Sequence, residues 1–197
     1  MDNLKSVMDN IFPDSRHAIS DPEKFPWHKD SNGKIDSYKV QSSQALMLDV
    51  FGFLVNSKYK DEIVNTIFHE NDRNWKIIFE YTDSSLLNES RSSQIDVLIT
   101  GKNTNLIIEC KYTENDGGYC SQTKKIKEII QCNGNYEIQV NQKNNKTSKC
   151  ALSAKGIKYW DFISKTYNIN VNIDLKPCPF KNGNYQWMRN ICFSKAL

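Results

Sequence analysis

The chain has 197 residues, of which 39% are hydrophobic and 25% are charged, and its formal net charge is +3. These values are typical of a soluble globular protein, and the length predicts one domain, residues 1–197, with a sizeable core. No run of 18 apolar residues occurs, so no membrane-spanning helix is expected, and the N-terminus lacks the long apolar core of a signal peptide. We therefore expect a cytoplasmic protein.

The N-terminal part of the chain is predicted to be helical or irregular. Residues 1–40 mix short apolar pieces with prolines, which predicts a helical turn or two and then irregular chain, an extension wrapped on the core. Apolar spacing predicts a helix at 41–55 and a second helix at about 60–70. The side chains expected to face the core from the first of these helices are Leu46, Val50, Phe53 and Leu54.

Strands are predicted in the middle of the chain, with helices after them. The strands are expected at about 75–82, 94–100 and 104–112, and NYEIQV is compatible with another strand. The helices are expected near 120–132, 153–165 and 184–195. In the first of these helices the side chains expected to point inward are Ile126, Ile129 and Ile130.

The most informative segment is QIDVLITGKNTNLIIECK, which reads as two apolar strands joined by a turn. Side chains alternate along a strand, so Glu109 and Lys111 are predicted to point to the same face. A hairpin through GKNTN brings Asp96 back beside them. Two carboxylates suit a hard cation such as Mg²⁺, and a nearby ammonium can orient a water or stabilise the charge of a phosphate. The apolar run LIIEC predicts a strand that is buried on both faces.

An Asp followed by Glu-x-Lys on a hairpin resembles the PD-(D/E)xK nuclease superfamily, the fold of many restriction endonucleases. Other segments resemble a bacterial group of these nucleases: QSSQALMLDVFGFL its opening helix, WKIIFEYTD its first core strand, and GIKYWDFI with PCPFKNGNYQWMRN its C-terminal part. One departure is Ile95, which stands where the superfamily name has proline. The resemblance implies an α/β fold, a restriction-endonuclease-like core with a mixed β-sheet flanked by α-helices on both faces.

This resemblance implies a metal-dependent endonuclease that hydrolyses DNA phosphodiester bonds, in restriction, defence or repair. Mg²⁺ or Mn²⁺ is expected to bind Asp96, Glu109 and the backbone carbonyl of Cys110, and Lys111 is expected to position or activate the attacking water. Double-strand cutting would require a homodimer or two binding events, because one site cuts one strand.

Further site residues are expected on neighbouring elements. Glu80 ends the apolar run of the first strand and is expected to add a carboxylate to the metal cluster or to hold a water, unless it is only an edge residue. Gln44 stands on the opening helix and is favoured over Asp49 as the contribution of that helix, with capping or core hydrogen bonding as the alternative. Glu114 continues past the triad and is expected to contact DNA or to order Lys111.

The net charge is unevenly distributed. Residues 121–160 contain eight lysines and two glutamates, which gives +6, so the rest of the chain carries −3. A basic segment downstream of an acidic metal site fits a polyanion laid across that site, and the alternative is a solvated lysine-rich face. The lysines assigned to DNA binding are Lys124, Lys125, Lys143, Lys146 and Lys149.

Six cysteines are present, and in a cytosolic protein disulfides are not expected. Cys110 and Cys192 lie in apolar runs and are expected to be buried. The remaining four, which are separated by 11, 17 and 27 residues, include no CxxC pair, so an iron–sulfur cluster or a Zn²⁺ site is not favoured and a colourless protein is expected. These four are Cys120, Cys132, Cys150 and Cys178.

Two other functions stay open at this point. One is a catalytically inactive nucleic-acid-binding module of the same fold, against which the intact acid–acid–lysine pattern argues. The other is a different phosphoryl-handling enzyme, against which the lack of a P-loop or a GxGxxG motif argues. The proposed mechanism needs no histidine, and none of the histidines, His17, His28 and His69, stands in a zincin or histidine–metal nuclease motif, so a ββα-metal nuclease is disfavoured.

Overall fold

The structure is a computed structural model that describes residues 2–125 and 129–197. Helices α1 to α5 span Asp2–Asp9, Ser43–Val55, Lys60–Phe68, Tyr159–Tyr167 and Tyr185–Ala196. Strands β1 to β5 span Lys76–Asp83, Ser93–Thr100, Asn105–Ile108, Gln139–Val140 and Thr147–Ser148. The chain divides into two compact units, which are described separately below.

Unit 1 comprises Met1–Tyr81 and Gln94–Glu114 and contains most of a three-stranded sheet in the order β1-β2-β3. Strands β2 and β3 form the predicted antiparallel hairpin, with Val97 opposite Ile108 and Thr100 opposite Asn105. Period-two alternation buries Ile95, Val97 and Ile99 on one face of β2 and leaves Asp96 on the other. The hairpin therefore places Asp96 and the end of β3 on the same side of the sheet.

The core of unit 1 is built from both the N-terminal segment and the sheet. Residues 1–40 contribute four fully or almost fully buried apolar side chains, so they are an integral part of this core. Trp75, just before β1, is completely buried, and its indole N–H donates to Asn65 Oδ1 at 2.9 Å. The buried residues of the cluster are Val7, Ile11, Ile19, Trp27, Met47, Leu48, Val64, Trp75, Val97 and Ile99.

Helix α2 begins after Ser42, whose hydroxyl accepts from the Ala45 N–H. The prediction that Leu46, Val50 and Phe53 face the core was wrong, because these three side chains of α2 are exposed. Leu54 is buried, as predicted. The reason is a 3₁₀ turn at Pro13–Ala18 that packs closely on α2, where a Cβ on Gly52 would lie 2.9 Å from the Ser15 carbonyl oxygen. Because α2 is apolar around most of its circumference, periodicity alone did not identify the covered face.

Unit 2 comprises Thr82–Ser93 and Asn115–Leu197 and is held by aromatic packing. The ring of Tyr136 stacks on Trp160 with centroids 3.5 Å apart, and Phe180 lies 5.4 Å from Tyr159. Helices α4 and α5 contribute Ile163 and Phe193, which are fully buried. Strands β4 and β5 of this unit pair as a short antiparallel hairpin, and the polar residues 141–146 form its loop.

Three secondary-structure predictions were wrong in detail. The helix expected at about 153–165 begins only at Tyr159, after a 3₁₀ turn at Ser153–Lys155. The helix expected near 120–132 is only a 3₁₀ turn at Ser121–Thr123, and the described residues on either side of 126–128 are not helical. Ile129 and Ile130 are exposed, and the expectation for Ile126 lies outside the described residues. Strand β3 ends at Ile108, and its three apolar residues are half-buried, so the prediction of burial on both faces was wrong.

The described part of the chain is thus a mixed α/β structure with small sheets, one of three strands and one of two. The predicted restriction-endonuclease-like core and the single domain of residues 1–197 stay predictions. None of the helices in residues 2–125 and 129–197 has the length and apolar character needed to cross a membrane.

Candidate metal centre and active site

The β2–β3 hairpin brings Asp96 and Glu109 together. Continuing the strand register by one residue puts these two side chains opposite each other, on the same face. The Cys110 N–H donates to Asp96 Oδ2 at 2.7 Å, which fixes the carboxylate against the end of β3. Two acids are therefore held side by side by backbone geometry.

Lys111 lies beside this pair. Its Nζ is 2.9 Å from Glu109 Oε1, and the two side chains are 20% and 4% exposed. The predicted triad of Asp96, Glu109 and Lys111 is thus gathered in one place, with the ammonium at the more exposed end. A largely desolvated ion pair is stronger than a surface pair, so it can hold the lysine in a defined position.

Glu80 reaches the same place from β1 and carries two unusual features. Its backbone has φ of 52°, in the left-handed region that is costly for a residue with a side chain. Its side chain is completely buried, and Oε2 has no hydrogen-bond partner. Buried carboxylate oxygens are normally paired, so an unsatisfied one within a strained residue is typical of a binding site.

Gln44 on α2 holds Glu80 in this position. Its Nε2 donates to Glu80 Oε1 and to the Pro26 carbonyl oxygen, the latter at 3.2 Å. Its Oε1 accepts from the Ser37 hydroxyl at 2.5 Å and from the His28 N–H at 2.9 Å. All four hydrogen bonds of this buried amide are therefore internal, and Gln44 is a positioning residue for Glu80.

The other two acids considered on sequence grounds have local structural contacts. Asp49 Oδ1 accepts from the Phe12 N–H at 2.6 Å, which ties the N-terminal segment to α2. Glu114 accepts from the Ser43 hydroxyl at 3.1 Å and from the Tyr112 N–H at 3.0 Å, so it orders the chain just after Lys111.

His28 is a member of the cluster that sequence reasoning missed. Its Nε2 lies 3.4 Å from Glu80 Oε1, and His28, Glu80 and Asp96 each offer a ligand atom within 4.8 Å of the others. The hydrogen bond to Glu80 raises the pKa of His28, against the effect of burial. His28 lies in irregular chain with no motif around it, so nothing in the local sequence distinguished it from His17 and His69.

The electrostatics of the site fit a divalent cation. Burial, together with the charges of Glu109 and Glu80, raises the pKa of Asp96 to about 6, against the opposing effect of the Cys110 N–H. Three carboxylates gathered in a poorly solvated place repel one another unless a cation or protons intervene. Oxygen donors of this kind are the ligands that Mg²⁺ and Mn²⁺ take, and the unsatisfied Glu80 Oε2 is such a donor.

The predicted DNA-binding lysines lie in unit 2 and differ in their contacts. Lys124 and Lys125 are exposed after the 3₁₀ turn, and Lys143 and Lys146 are exposed in the β4–β5 loop. Lys149 is bound internally, with its Nζ 2.8 Å from Asp174 Oδ1 and 2.6 Å from the Asn172 carbonyl oxygen.

The four scattered cysteines also lie in unit 2, where the fold brings them together, and the expectation of a colourless protein stays a prediction. All four line a single cavity: Cys120, Cys132, Cys150 and Cys178.

Comparison with known proteins gives one family. A family model described as "Restriction Endonuclease associating with ARP" matches residues 4–197. No curated protein and no solved structure matches the chain.

The first prediction concerns pH. The folded protein holds the Asp96 proton more tightly than the unfolded chain, so this stabilising contribution is complete below the ordinary pKa of 3.8 and is lost as pH rises through about 6. The free energy of unfolding of wild type in EDTA should therefore fall as pH rises from about 4 to about 7. In Asp96→Asn this fall should be smaller by on the order of 2 kcal/mol. Urea unfolding at a series of pH values measures this difference.

The matched control is Asp9→Asn, which changes an exposed carboxylate on α1. It should show the same pH dependence as wild type. Parallel curves for wild type and Asp96→Asn would contradict the raised pKa.

Proposed function

We propose that this chain, which belongs to the REase-ARP family of restriction endonucleases associating with ARP, is a Mg²⁺-dependent deoxyribonuclease that hydrolyses phosphodiester bonds. The observation that carries the proposal is the buried carboxylate cluster of Asp96, Glu109 and Glu80 with Lys111 beside it. A ready-made site for a cation next to a fixed ammonium suits the cleavage of a polyanion. We further propose that it works on DNA in the cytoplasm, in restriction, defence or repair.

Asp96, Glu109 and Glu80 would hold the cation, with the Cys110 carbonyl oxygen as a further ligand and His28 as a nitrogen donor at the edge of the group. When bound, a divalent cation supplies Lewis-acid chemistry, because it acidifies water and offsets the charge of the scissile phosphate. Gln44 keeps Glu80 oriented through its Nε2 hydrogen bond. The amide therefore acts through Glu80, without contacting the substrate.

Lys111 would orient the attacking water and stabilise the negative charge that develops on the phosphate. Its ion pair with Glu109, 2.9 Å long, aligns the ammonium before substrate arrives, so little reorganisation is needed during the reaction. Attack in line on phosphorus forms one P–O bond and breaks the bond to the 3′ oxygen, which leaves a 5′-phosphate and a 3′-hydroxyl.

The alternative of a catalytically inactive binding module is less well supported. A module that only binds DNA has no need of buried carboxylates, which repel phosphates and cost stability. Here Asp96 and Glu109 are held together with Lys111. Because one such site cuts one strand, cleavage of both strands would require a second copy of the chain.

The second prediction concerns the carboxylates. Asp96→Asn and Glu109→Gln keep the shape of each side chain but remove its charge, so each should slow the Mg²⁺-dependent nicking of supercoiled plasmid by about 100-fold or more. The assay follows conversion to open circle, with EDTA as the metal-free condition. Glu62→Gln, on an exposed position of α3, is the matched control and should cut at the wild-type rate.

Undiminished nicking by both variants, or nicking that continues in EDTA, would contradict the proposed site. Inactive wild-type protein on duplex, single-stranded and branched DNA, with either Mg²⁺ or Mn²⁺, would favour the binding module.

The third prediction concerns the β4–β5 loop, where Lys143 and Lys146 are exposed. Reversing both to glutamate in the Asp96→Asn background should weaken DNA binding and lower the slope of log affinity against log salt by about 0.9 for each phosphate that the two lysines neutralise. Fluorescence anisotropy at several salt concentrations measures both quantities. Unchanged affinity and slope would show that these lysines only solvate the loop.

The control for this experiment is the double variant Lys5→Glu, Lys76→Glu, which makes the same change in net charge at exposed positions of unit 1. Lys149 is left unchanged because its contacts with Asp174 and Asn172 hold unit 2 together.

A further inference from the structure

Four cysteines from four separate parts of unit 2 surround one cavity, which Phe180 and Leu152 help to close. Cys120 and Cys132 are at most 9% exposed, and all six cysteines of the chain are free thiols. A chance meeting of four thiols in one small space is improbable for cysteines so far apart in sequence. The cavity lies in unit 2, whereas the carboxylate cluster lies in unit 1.

Three of these cysteines stand in turns of the same kind. In each turn, the backbone N–H two residues after the cysteine donates to its sulfur. The Gly134 N–H is 3.4 Å from Cys132 Sγ, and the donors to Cys120 and Cys178 are the N–H groups of Gln122 and Phe180. An N–H directed at a sulfur stabilises the thiolate more than the neutral thiol. The turns are therefore shaped for negatively charged sulfur.

Backbone hydrogen bonds join the three turns in a closed ring. The residue two positions after each cysteine, whose N–H donates to the sulfur, also accepts a hydrogen bond from the next turn through its carbonyl oxygen. The donors are the N–H groups of the cysteines: Cys132 to Gln122 at 3.1 Å, Cys178 to Gly134 at 2.9 Å, and Cys120 to Phe180 at 3.3 Å. This ring brings the three sulfurs around a common space, although the residues are distant in sequence. Cys150, just after β5, adds the fourth sulfur.

Positive charge is arranged around the same space. Lys149 and Lys181 line the cavity, and the charges of Lys155 and Lys181 lower the pKa of Cys120 and Cys132, respectively, against the larger effect of burial. Gly134 has φ of 86°, and the Lys181 side chain passes so close that a Cβ there would lie 2.7 Å from its Cδ. Lysines that line the cavity would offset the charge of a group of thiolates.

We propose that Cys120, Cys132, Cys150 and Cys178 together bind a thiophilic metal centre in unit 2 through four thiolates. Binding replaces the four thiol protons, which pass to solvent. Without metal, the N–H donors of the three turns are directed at neutral sulfur, which is a weak acceptor. A metal centre supplies the counter-charge that such a site lacks.

The spacing of the sulfurs assigns an iron–sulfur cluster to the site rather than a single zinc ion. Tetrahedral Zn²⁺ draws its thiolates to about 3.8 Å from one another. In residues 2–125 and 129–197, the one group of three ligand atoms that all lie within 4.8 Å of each other is the group of His28, Glu80 and Asp96. No three of the cysteine sulfurs in the described residues meet that limit, which fits a cluster of several irons better than one tetrahedral ion.

The fourth prediction tests this centre in the full chain, purified without oxygen. We expect visible absorbance, and iron and acid-labile sulfide in equal amounts of about two to four per chain. Cys178→Ser and Cys150→Ser should each lose most of the iron and the absorbance. Cys192→Ser, which changes a buried cysteine of α5 outside the cavity, is the matched control and should keep both.

Wild-type protein that holds no stoichiometric metal, both as purified and after reconstitution with ferrous iron and sulfide or with Zn²⁺, would overturn the proposal, even if the cysteine variants fail to fold. Iron retained in both variants would overturn the ligand set. One zinc per chain that depends on these cysteines would support the four-thiolate site and overturn its assignment as a cluster. Metal content is measured without DNA, so these results are independent of nuclease activity.

Discussion

The repulsion between carboxylates gathered in one poorly solvated place is the constraint on which unit 1 depends. Burial and the charges of Glu109 and Glu80 raise the pKa of Asp96, and separation of the side chains would relieve that cost. The fold prevents this separation by backbone means. The hairpin register fixes Asp96 against Glu109, and the left-handed backbone of Glu80 turns its side chain into the same place. Such a cost is retained where a bound cation removes it.

The groups around the cluster offset only part of its charge. Lys111 pairs with Glu109, His28 approaches Glu80, and the Cys110 N–H donates to Asp96. One oxygen of Glu80 is still without a partner. The site is therefore stable enough to persist in the folded chain and still electrostatically incomplete. This combination distinguishes it from an ordinary buried ion-pair network, in which each oxygen is satisfied.

The sequence predicted those parts of the site that depend on strand periodicity. The period of two and the short turn were enough to bring together Asp96, Glu109 and Lys111, which are close in the chain. His28 was missed because only tertiary structure carries its irregular segment to Glu80. The meeting of the cysteines was not visible in the sequence for a related reason, since loop-closure arguments assume that each loop closes on its own. In the structure, a ring of backbone hydrogen bonds gathers three of their turns.

Counting charges along the sequence likewise did not distinguish the lysines that are bound within unit 2 from those that are exposed. Lys149 binds Asp174 and lines the cysteine cavity, whereas Lys143 and Lys146 are exposed. Part of the basic segment thus lies at the cysteine cavity of unit 2, and part of it is exposed.

The most direct measurement of the carboxylate site is anomalous X-ray scattering from crystals of the full chain soaked in Mn²⁺. We expect an anomalous peak that places a manganese ion within bonding distance of oxygens of Asp96 and Glu109, with Glu80 Oε2 directed toward the ion. Manganese bound elsewhere in the crystal, with these carboxylates ordered and no peak between them, would contradict the assignment of a metal-dependent active site.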